Sequence, residues 1–140
     1  MKDENVRKMF RRFQKKTVVK NPRNGKWKEF SKQAVLIAEG HYLQDARHGE
    51  WKQYYETGEL LIEETYDKGI LHGRYSSYHP NGQLFSEGIY KHGKREGYFN
   101  VYDEAGKPVK RLLFVNNILV EEIDMSRIPA HHQPVESAGL

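Results

Sequence analysis

Short runs of aromatic and branched residues alternate with polar turn residues along this chain, and the pattern returns every 24 positions. Two copies of the pattern have nearly the same layout. Their shared landmarks are Gly49, Trp51, Tyr54, Gly58 and Leu60 in one copy and Gly73, Tyr75, Tyr78, Gly82 and Leu84 in the next. A weaker form extends in both directions, which predicts four repeat units at residues 25–48, 49–72, 73–96 and 97–120.

Two columns of this array predict turns. Gly58, Gly82 and Gly106 share one column with Ala34, and the other column holds Asp45, Gly69, Gly93 and Asn117. Glycine, Asn and Asp are the residues that best tolerate a positive φ angle. The segments between the turns are rich in residues that favour strands. We therefore predict an all-β fold, in which 24-residue hairpins pair edge to edge in an elongated, single-layer antiparallel sheet.

Aromatic residues fill three columns, and we expect them to stack as a ladder that forms the core. The columns are Trp27, Trp51, Tyr75 and Phe99; Phe30, Tyr54, Tyr78 and Tyr102; and Tyr42, Tyr66, Tyr90 and Phe114. Copies two strands apart lie roughly 10 Å from one another, which is within reach of large rings. The adjacent apolar columns that begin at Leu36 and Ile37 leave two alternatives open, because either a bulge intervenes or both sheet faces are partly apolar.

These columns carry a family resemblance. The pattern Gly-x-aromatic-x-x-Tyr, then x-x-x-Gly-x-Leu, then Glu-x-x-Tyr-x-x-Gly resembles the variant MORN repeat of bacterial proteins of the YwqK type, over 96 of 140 residues. The end units depart from it at Ala34, Asp45 and Arg111, as capping units do. The resemblance implies an antitoxin or immunity protein, whose hairpin face binds and neutralises a cognate toxin.

Composition narrows the function classes. With 37% hydrophobic and 12% aromatic residues, the chain suits a thin repetitive sheet in one domain better than a layered globule. It has no cysteine, which excludes disulfides and thiol catalysis. We expect a cytoplasmic protein, because the basic N-terminus precedes no apolar signal segment and no apolar run is long enough to span a membrane.

The N-terminal segment is strongly basic. Residues 1–28 contain eleven Lys and Arg residues against Asp3 and Glu4, whereas the remaining residues are acidic overall. Residues 1–24 are predicted to form a short amphipathic helix over residues 3–16 and a leading strand. The helix either covers the exposed end or one face of the sheet, or binds an anionic membrane surface or a nucleic-acid backbone through its cations. Its basic residues are Arg7, Lys8, Arg11, Arg12, Lys15 and Lys16. At the other end, residues 121–140 are predicted to finish the last strand and continue as a flexible tail.

The repeated columns favour binding over catalysis, because an enzyme needs dissimilar residues brought together in one place. We predict no enzyme activity, cofactor or metal site. The candidate partner-binding residues are the rigid aromatic anchors and an acidic stripe, namely Tyr54, Tyr55, Tyr78, His79, Tyr102, Glu39, Glu63 and Glu87. Alternatively, the stripe is simply the solvated side of the strands. A protein partner such as a toxin or effector is expected first and an anionic membrane second; nucleic acid is not expected, and a homodimer through the sheet edges stays open.

Overall fold

The computed structural model describes residues 21–129, which form one open antiparallel sheet of nine strands in the order of the sequence. The strands are β1 (Gly25–Phe30), β2 (Leu36–Leu43), β3 (Ala46–Tyr54), β4 (Leu60–Asp67), β5 (Ile70–Tyr78), β6 (Leu84–Lys91), β7 (Lys94–Tyr102), β8 (Pro108–Val115) and β9 (Ile118–Asp124). A 3-10 turn, Met125–Arg127, follows β9 and buries Met125. The all-β antiparallel prediction is confirmed. The predicted N-terminal helix and leading strand lie outside the described residues, as do residues 130–140.

The short turns between hairpins have two consecutive residues with positive φ. In the first of them Gln44 and Asp45 have φ angles of 49° and 65°, and in the second Lys68 and Gly69 have 46° and 89°. This is the type I′ geometry, whose twist matches that of the strands it joins. The turn prediction for the column of Asp45 and Gly69 is confirmed. The preceding column, to which Gln44 and Lys68 belong, also adopts positive φ, and its residue types gave no sign of it.

The longer turns within the hairpins confirm the turn prediction for the other column, that of Ala34 and Gly58. Gly58 has a φ of 99°, and its amide donates to the Tyr55 carbonyl at 2.9 Å. Ala34 occupies the equivalent place with a φ of 62° and donates to Ser31 at 3.0 Å. The first unit therefore keeps the turn although it lacks the glycine, at the steric cost that a Cβ brings in the left-handed region.

A bulge follows each of the longer turns within the hairpins. It decides between the two explanations offered for the adjacent apolar columns, a bulge or two partly apolar sheet faces. Gln53 pairs with Ile62, whereas the next residue, Tyr54, pairs with Leu60, so that Leu61 is the extra residue. The register shifts at the same place in the other three hairpins. The extra residue explains why two neighbouring positions are both apolar without a fully apolar opposite face.

The core is an aromatic ladder on one face of the sheet, which we call the ladder face. Its rings belong to two interleaved columns: Trp27, Tyr42, Trp51, Tyr66, Tyr75, Tyr90, Phe99 and Phe114. Trp51 is completely buried, and its ring lies 5.0 Å from that of Tyr42 in a T-shaped contact. The expectation of a three-column ladder was wrong in one respect. The column of Tyr54 lies on the opposite face, because Tyr54 follows Trp51 by three positions in the same strand, and side chains an odd number of positions apart point to opposite faces.

Two features that the columns did not predict complete the ladder. Gly40 and Gly88 lie directly against rings, since a Cβ at Gly40 would stand 2.4 Å from Trp51 and one at Gly88 would stand 2.5 Å from Phe99. Arginine side chains cover the rings from the solvent side. The guanidinium of Arg47 lies 4.2 Å from the Trp51 ring centre. Cation–π packing of this kind shields the ladder, over which the described residues place no second layer.

Candidate binding trough

Three depressions lie along the face opposite the ladder, and they are lined by residues 24 positions apart. Their volumes are about 730, 220 and 310 Å³. We call the surface they form the trough. Its lining side chains are Lys26, Lys28, Glu39, His41, Glu50, Lys52, Glu63, Thr65, Arg74, Ser76, Glu87, Ile89, Tyr98 and Asn100. The 24-residue period of the sequence therefore places similar surface depressions at regular intervals across β1 to β7.

Tyrosine hydroxyls donate to the glutamates that line the trough, and each pair joins neighbouring hairpins. Tyr54 donates to Glu39 at 2.6 Å and Tyr78 donates to Glu63 at 2.7 Å. In the third pair Tyr102 donates to Glu87 at 2.8 Å. The structure therefore brings six of the eight predicted partner-binding residues together in three equivalent pairs beside the depressions. Whether they contact a partner stays a prediction.

In the pairs formed by Tyr54 and Tyr78, the same hydrogen bonds change the pKa of both members. The bond from Tyr54, together with the nearby charge of Lys28, lowers the pKa of Glu39 below its usual range. The bond from Tyr78 and the neighbouring Lys52 lower the pKa of Glu63 in the same way. Burial, reinforced by the bond to the carboxylate, raises the pKa of Tyr54 and of Tyr78 to about 12. The tyrosines therefore stay protonated donors and the glutamates stay charged acceptors near neutral pH.

The predicted acidic stripe is balanced by cations in the strands beside it. Glu39 pairs in register with Lys28 and Lys52, and Glu63 pairs with Lys52 and Ser76. The Nζ of Lys52 lies 3.2 Å from a carboxylate oxygen of Glu63. Glu64 also borders the second depression, but its carboxylate is buried and accepts from Gln53 and Tyr66. The other lining side chains include four carboxylates and four Lys and Arg residues, so their formal charges cancel with histidine neutral. A partner meets a mixed polar surface here rather than a field of one sign.

The trough becomes apolar toward its C-terminal end. Ile89 is 45% exposed and Tyr98 is 43% exposed, both in the third depression. Arg111 stands where the earlier units have glutamate, and its guanidinium lies 4.0 Å from the Tyr98 ring centre. The Nε of Arg111 is buried and has no hydrogen-bond partner among the described residues. The departure of the last unit from the repeat therefore changes the chemistry of one end of the trough.

Tyr55 and His79 lie outside the depressions and link one hairpin to the next. The hydroxyl of Tyr55 donates to the Tyr78 carbonyl at 2.8 Å. His79 Nε2 is 2.9 Å from the Tyr102 carbonyl, and the His79 ring also packs against Phe85 at 5.0 Å. Both side chains are half-buried. Their contacts hold hairpins together, and a role in partner binding stays a prediction.

The histidines of the turn column are likewise occupied within the fold. His48 Nδ1 accepts from the Lys68 amide at 3.2 Å, and His72 Nδ1 accepts from the His92 amide at 3.1 Å. These amides belong to residues with positive φ in the type I′ turns. Across residues 21–129 no cluster of His, Cys, Asp and Glu has a geometry that holds a metal ion.

Several residues that line the trough were not predicted from the sequence. Lys52, Ser76 and Asn100 share a column with Lys28, and Arg74 and Tyr98 share another, but the residue types in each column differ. What they have in common is position rather than chemistry. The signal that finds them is strand register, because Glu63 pairs directly with Ser76 and Glu87 with Asn100.

Two expectations concern surfaces that bind membranes. The six cations expected to contact an anionic lipid surface, at Arg7, Lys8, Arg11, Arg12, Lys15 and Lys16, lie outside the described residues. Within the part of the chain that the structure describes, no helix has the length and apolar character to cross a bilayer.

Comparison with known proteins finds one family model that matches part of the array. The family described as MORN repeat variant matches residues 47–68 and again residues 71–92. These two matches fall on the second and third units of the array, where the 24-residue pattern is most regular. MORN repeats are often protein- or membrane-binding modules, and the family is not a known enzyme family. No curated protein matches the chain.

Proposed function

We propose that this chain is a non-enzymatic protein-binding module, and that its trough holds a segment of a partner protein. The observation that carries this proposal is the set of three equivalent depressions on one face. An extended, shallow and repeated surface suits a polypeptide, which presents similar groups at regular intervals. Repeat proteins commonly bind other macromolecules through such surfaces.

The side chains of the trough support a protein ligand over a polyanion. Donors and acceptors alternate, and the formal charges cancel. Nucleic acid binds through a net excess of Lys and Arg that neutralises phosphates. The exposed Ile89 and Tyr98 add apolar area at one end, and an aromatic residue with an exposed ring is a common anchor in protein interfaces.

The rigidity of the trough wall is a second support. Tyr54, Tyr78 and Tyr102 each have a hydroxyl fixed by a glutamate of the neighbouring hairpin. Side chains that are ordered before binding lose less conformational entropy when a partner arrives. The hydrogen-bonded pairs thus prepare the surface for binding, whether or not their own atoms touch the partner.

The resemblance to YwqK-type proteins supports a more specific role, in which the partner is a toxin and this chain is its antitoxin or immunity protein. A long, pre-ordered surface suits that role, because an inhibitor must hold its target tightly and release it slowly. The balanced charges of the trough favour no strongly basic or strongly acidic partner.

A capture experiment tests the binding proposal. The tagged full chain is compared, in lysate of its native host, with the variant Arg74→Glu/Ile89→Glu, which places two carboxylates in the trough. The matched control is Lys68→Glu/Ile70→Glu, which likewise replaces one cation and one isoleucine with glutamate, at exposed positions outside the trough. We expect one stoichiometric protein with the wild type and the control and its loss with the trough variant. Equal capture by all three would contradict the proposal.

The antitoxin role needs a separate readout. The captured partner is expressed alone and together with each of the three chains. If the partner is a toxin, it arrests growth alone, and the wild type and the control relieve the arrest while the trough variant does not. A partner that leaves growth unchanged would rule out the antitoxin role and leave the binding function standing.

A further inference from the structure

We infer that the segment held in the trough is a proline-rich stretch in the polyproline II conformation. This inference rests on the proposed function, because it names the chemical class of the ligand for the same surface. It follows from three properties of the trough: the spacing of its depressions, the hydrogen-bond donors that recur in them, and the exposed apolar side chains at its C-terminal end.

The first property is spacing. Equivalent depressions are two strands apart, and neighbouring strands of a sheet lie about 4.8 Å apart, which gives a repeat of about 9.6 Å. A polyproline II helix has three residues per turn and rises about 3.1 Å per residue, so its side chains repeat every 9.3 Å or so. Across the three depressions the two repeats drift apart by less than about 1 Å. Every third residue of such a chain meets an equivalent site.

Other regular conformations fit this spacing less well. An α-helix rises about 5.4 Å per turn, so two turns exceed the repeat by more than 1 Å, and 3.6 residues per turn also rotate successive side chains away from the surface. An extended strand places same-side residues about 6.6 Å apart, which does not divide into the repeat. Of these conformations, only polyproline II returns to the same face at nearly the interval of the hairpins.

The second property is a column of donors. Lys28, Lys52, Ser76 and Asn100 occupy one column, and each side chain carries an N–H or O–H group. A polyproline II chain makes no internal hydrogen bonds, so that its carbonyls are all free to accept. The trough thus offers one donor per hairpin to a ligand that offers one equivalent carbonyl per turn.

The third property is the apolar C-terminal end of the trough, to which the charge balance of the whole trough adds a further argument. The exposed ring of Tyr98 and the exposed side chain of Ile89 provide a surface on which proline rings pack. The guanidinium of Arg111 stacks against the Tyr98 ring at 4.0 Å, which fixes that ring. Because the trough carries no net formal charge, a neutral proline-rich segment suits it better than a polybasic or polyacidic one.

Titration of the isotope-labelled full chain with capped peptides tests the inference by NMR. The probes are peptides of two, three and four Pro-Pro-Gln triplets. We expect the dissociation constant to fall by at least about fivefold from two triplets to three, and then to level off as the three depressions are filled. Shifted signals should belong to residues of the trough.

Two control peptides separate conformation from composition. Gly-Gly-Gln peptides of equal length lack the preformed helix and should bind at least about fivefold more weakly. An alanine-rich helical peptide of equal length should cause no shifts in the trough. Equal binding of the glycine peptide, tighter binding of the helical peptide, or shifts confined to the ladder face would each overturn the inference, as would no binding by any proline peptide.

Variants of two exposed aromatic residues supply a matched test on the protein side. Tyr98→Ala removes an aromatic ring from the trough and should weaken binding of the three-triplet peptide by at least about fivefold. Phe85→Ala removes a ring of nearly equal exposure, 44% against 43%, outside the depressions and should leave the affinity unchanged. If capture from lysate depends on the trough while proline peptides do not bind, the ligand class is wrong and the binding function remains.

Discussion

At the scale of single residues, the tyrosine–glutamate pairs connect the stability of the sheet with the shape of the trough. Each hydroxyl reaches from one hairpin to a carboxylate of the preceding one, at 2.6 to 2.8 Å. A hydrogen bond to a charged acceptor is stronger than one between neutral groups. The sequence showed both columns but not that they meet, because a bulge and the strand register decide which side chains face each other.

Removing one hydroxyl should cost a measurable part of the stability. Tyr78→Phe deletes the bond to Glu63 and leaves the ring in place, and we expect a loss of about 1 kcal/mol in the free energy of unfolding, since the pair is only half-buried. Urea denaturation measures it. The control Tyr98→Phe changes an exposed ring and should stay within about 0.5 kcal/mol of the wild type. Equal losses in the two variants would mean that the pair does not stabilise the sheet.

The same pairs predict how stability depends on acid. The pKa values of Glu39 and Glu63 are lowered in the folded state by the tyrosine bonds. Their contribution is therefore fully present above the ordinary glutamate pKa of about 4.3 and is lost as the pH falls through the lowered folded values. Urea midpoints measured across this range should fall less steeply for Tyr54→Phe/Tyr78→Phe than for the wild type. Parallel curves would contradict the assignment.

At the scale of the elements, the aromatic ladder makes each strand depend on its neighbours. The column of Trp27 and Trp51 was visible in the sequence, but its members differ sharply in burial. Trp51 lies between ladder neighbours on both sides and is fully buried, whereas Trp27 is in β1, the first strand of the described sheet, and is 41% exposed. Two tryptophans of the same column therefore need not contribute equally to the free energy of unfolding, since position in the array decides how much of each ring is covered.

This difference gives a matched pair of substitutions. Trp51→Ala should destabilise the chain by about 3 to 5 kcal/mol, as expected for a large buried aromatic residue. Trp27→Ala should cost less than half as much, because its ring is already partly in water. Chemical denaturation followed by circular dichroism compares the two. Similar losses would show that the ladder is not the core that holds the hairpins together.

At the scale of the whole molecule, the period of 24 residues accounts for most of what could be predicted. It gave the hairpins, the turn columns and the single-layer sheet, because glycine and Asx residues mark positive φ and aromatic residues mark strands. It did not reveal the trough, whose lining mixes residues as different as Lys52, Ser76 and Asn100. It also missed Gly40 and Gly88, since their need for glycine comes from rings in the neighbouring strand.

An array built from equivalent units should tolerate the loss of a whole unit. Deleting residues 70–93 removes one period and joins two equivalent turn positions, so we expect cooperative unfolding with a denaturant slope reduced by about a quarter. Deleting residues 75–97 removes one residue fewer and makes the join inside a strand, so the side chains that follow move to the opposite face, and it should abolish the cooperative transition. Equal behaviour of the two deletions would argue against a regular array.

Hydroxyl-radical footprinting of the captured complex tests the central claim, that the trough is the binding surface, most directly. It compares the oxidation rates of exposed side chains in the free and the bound chain, and it needs no substitution in either protein. Binding in the trough predicts protection of Ile89 and Tyr98, and no change at Ile70 and Phe85, which are similarly exposed but lie outside the depressions. Protection of Ile70 or Phe85 with Ile89 and Tyr98 still fully reactive would place the partner elsewhere and contradict the account.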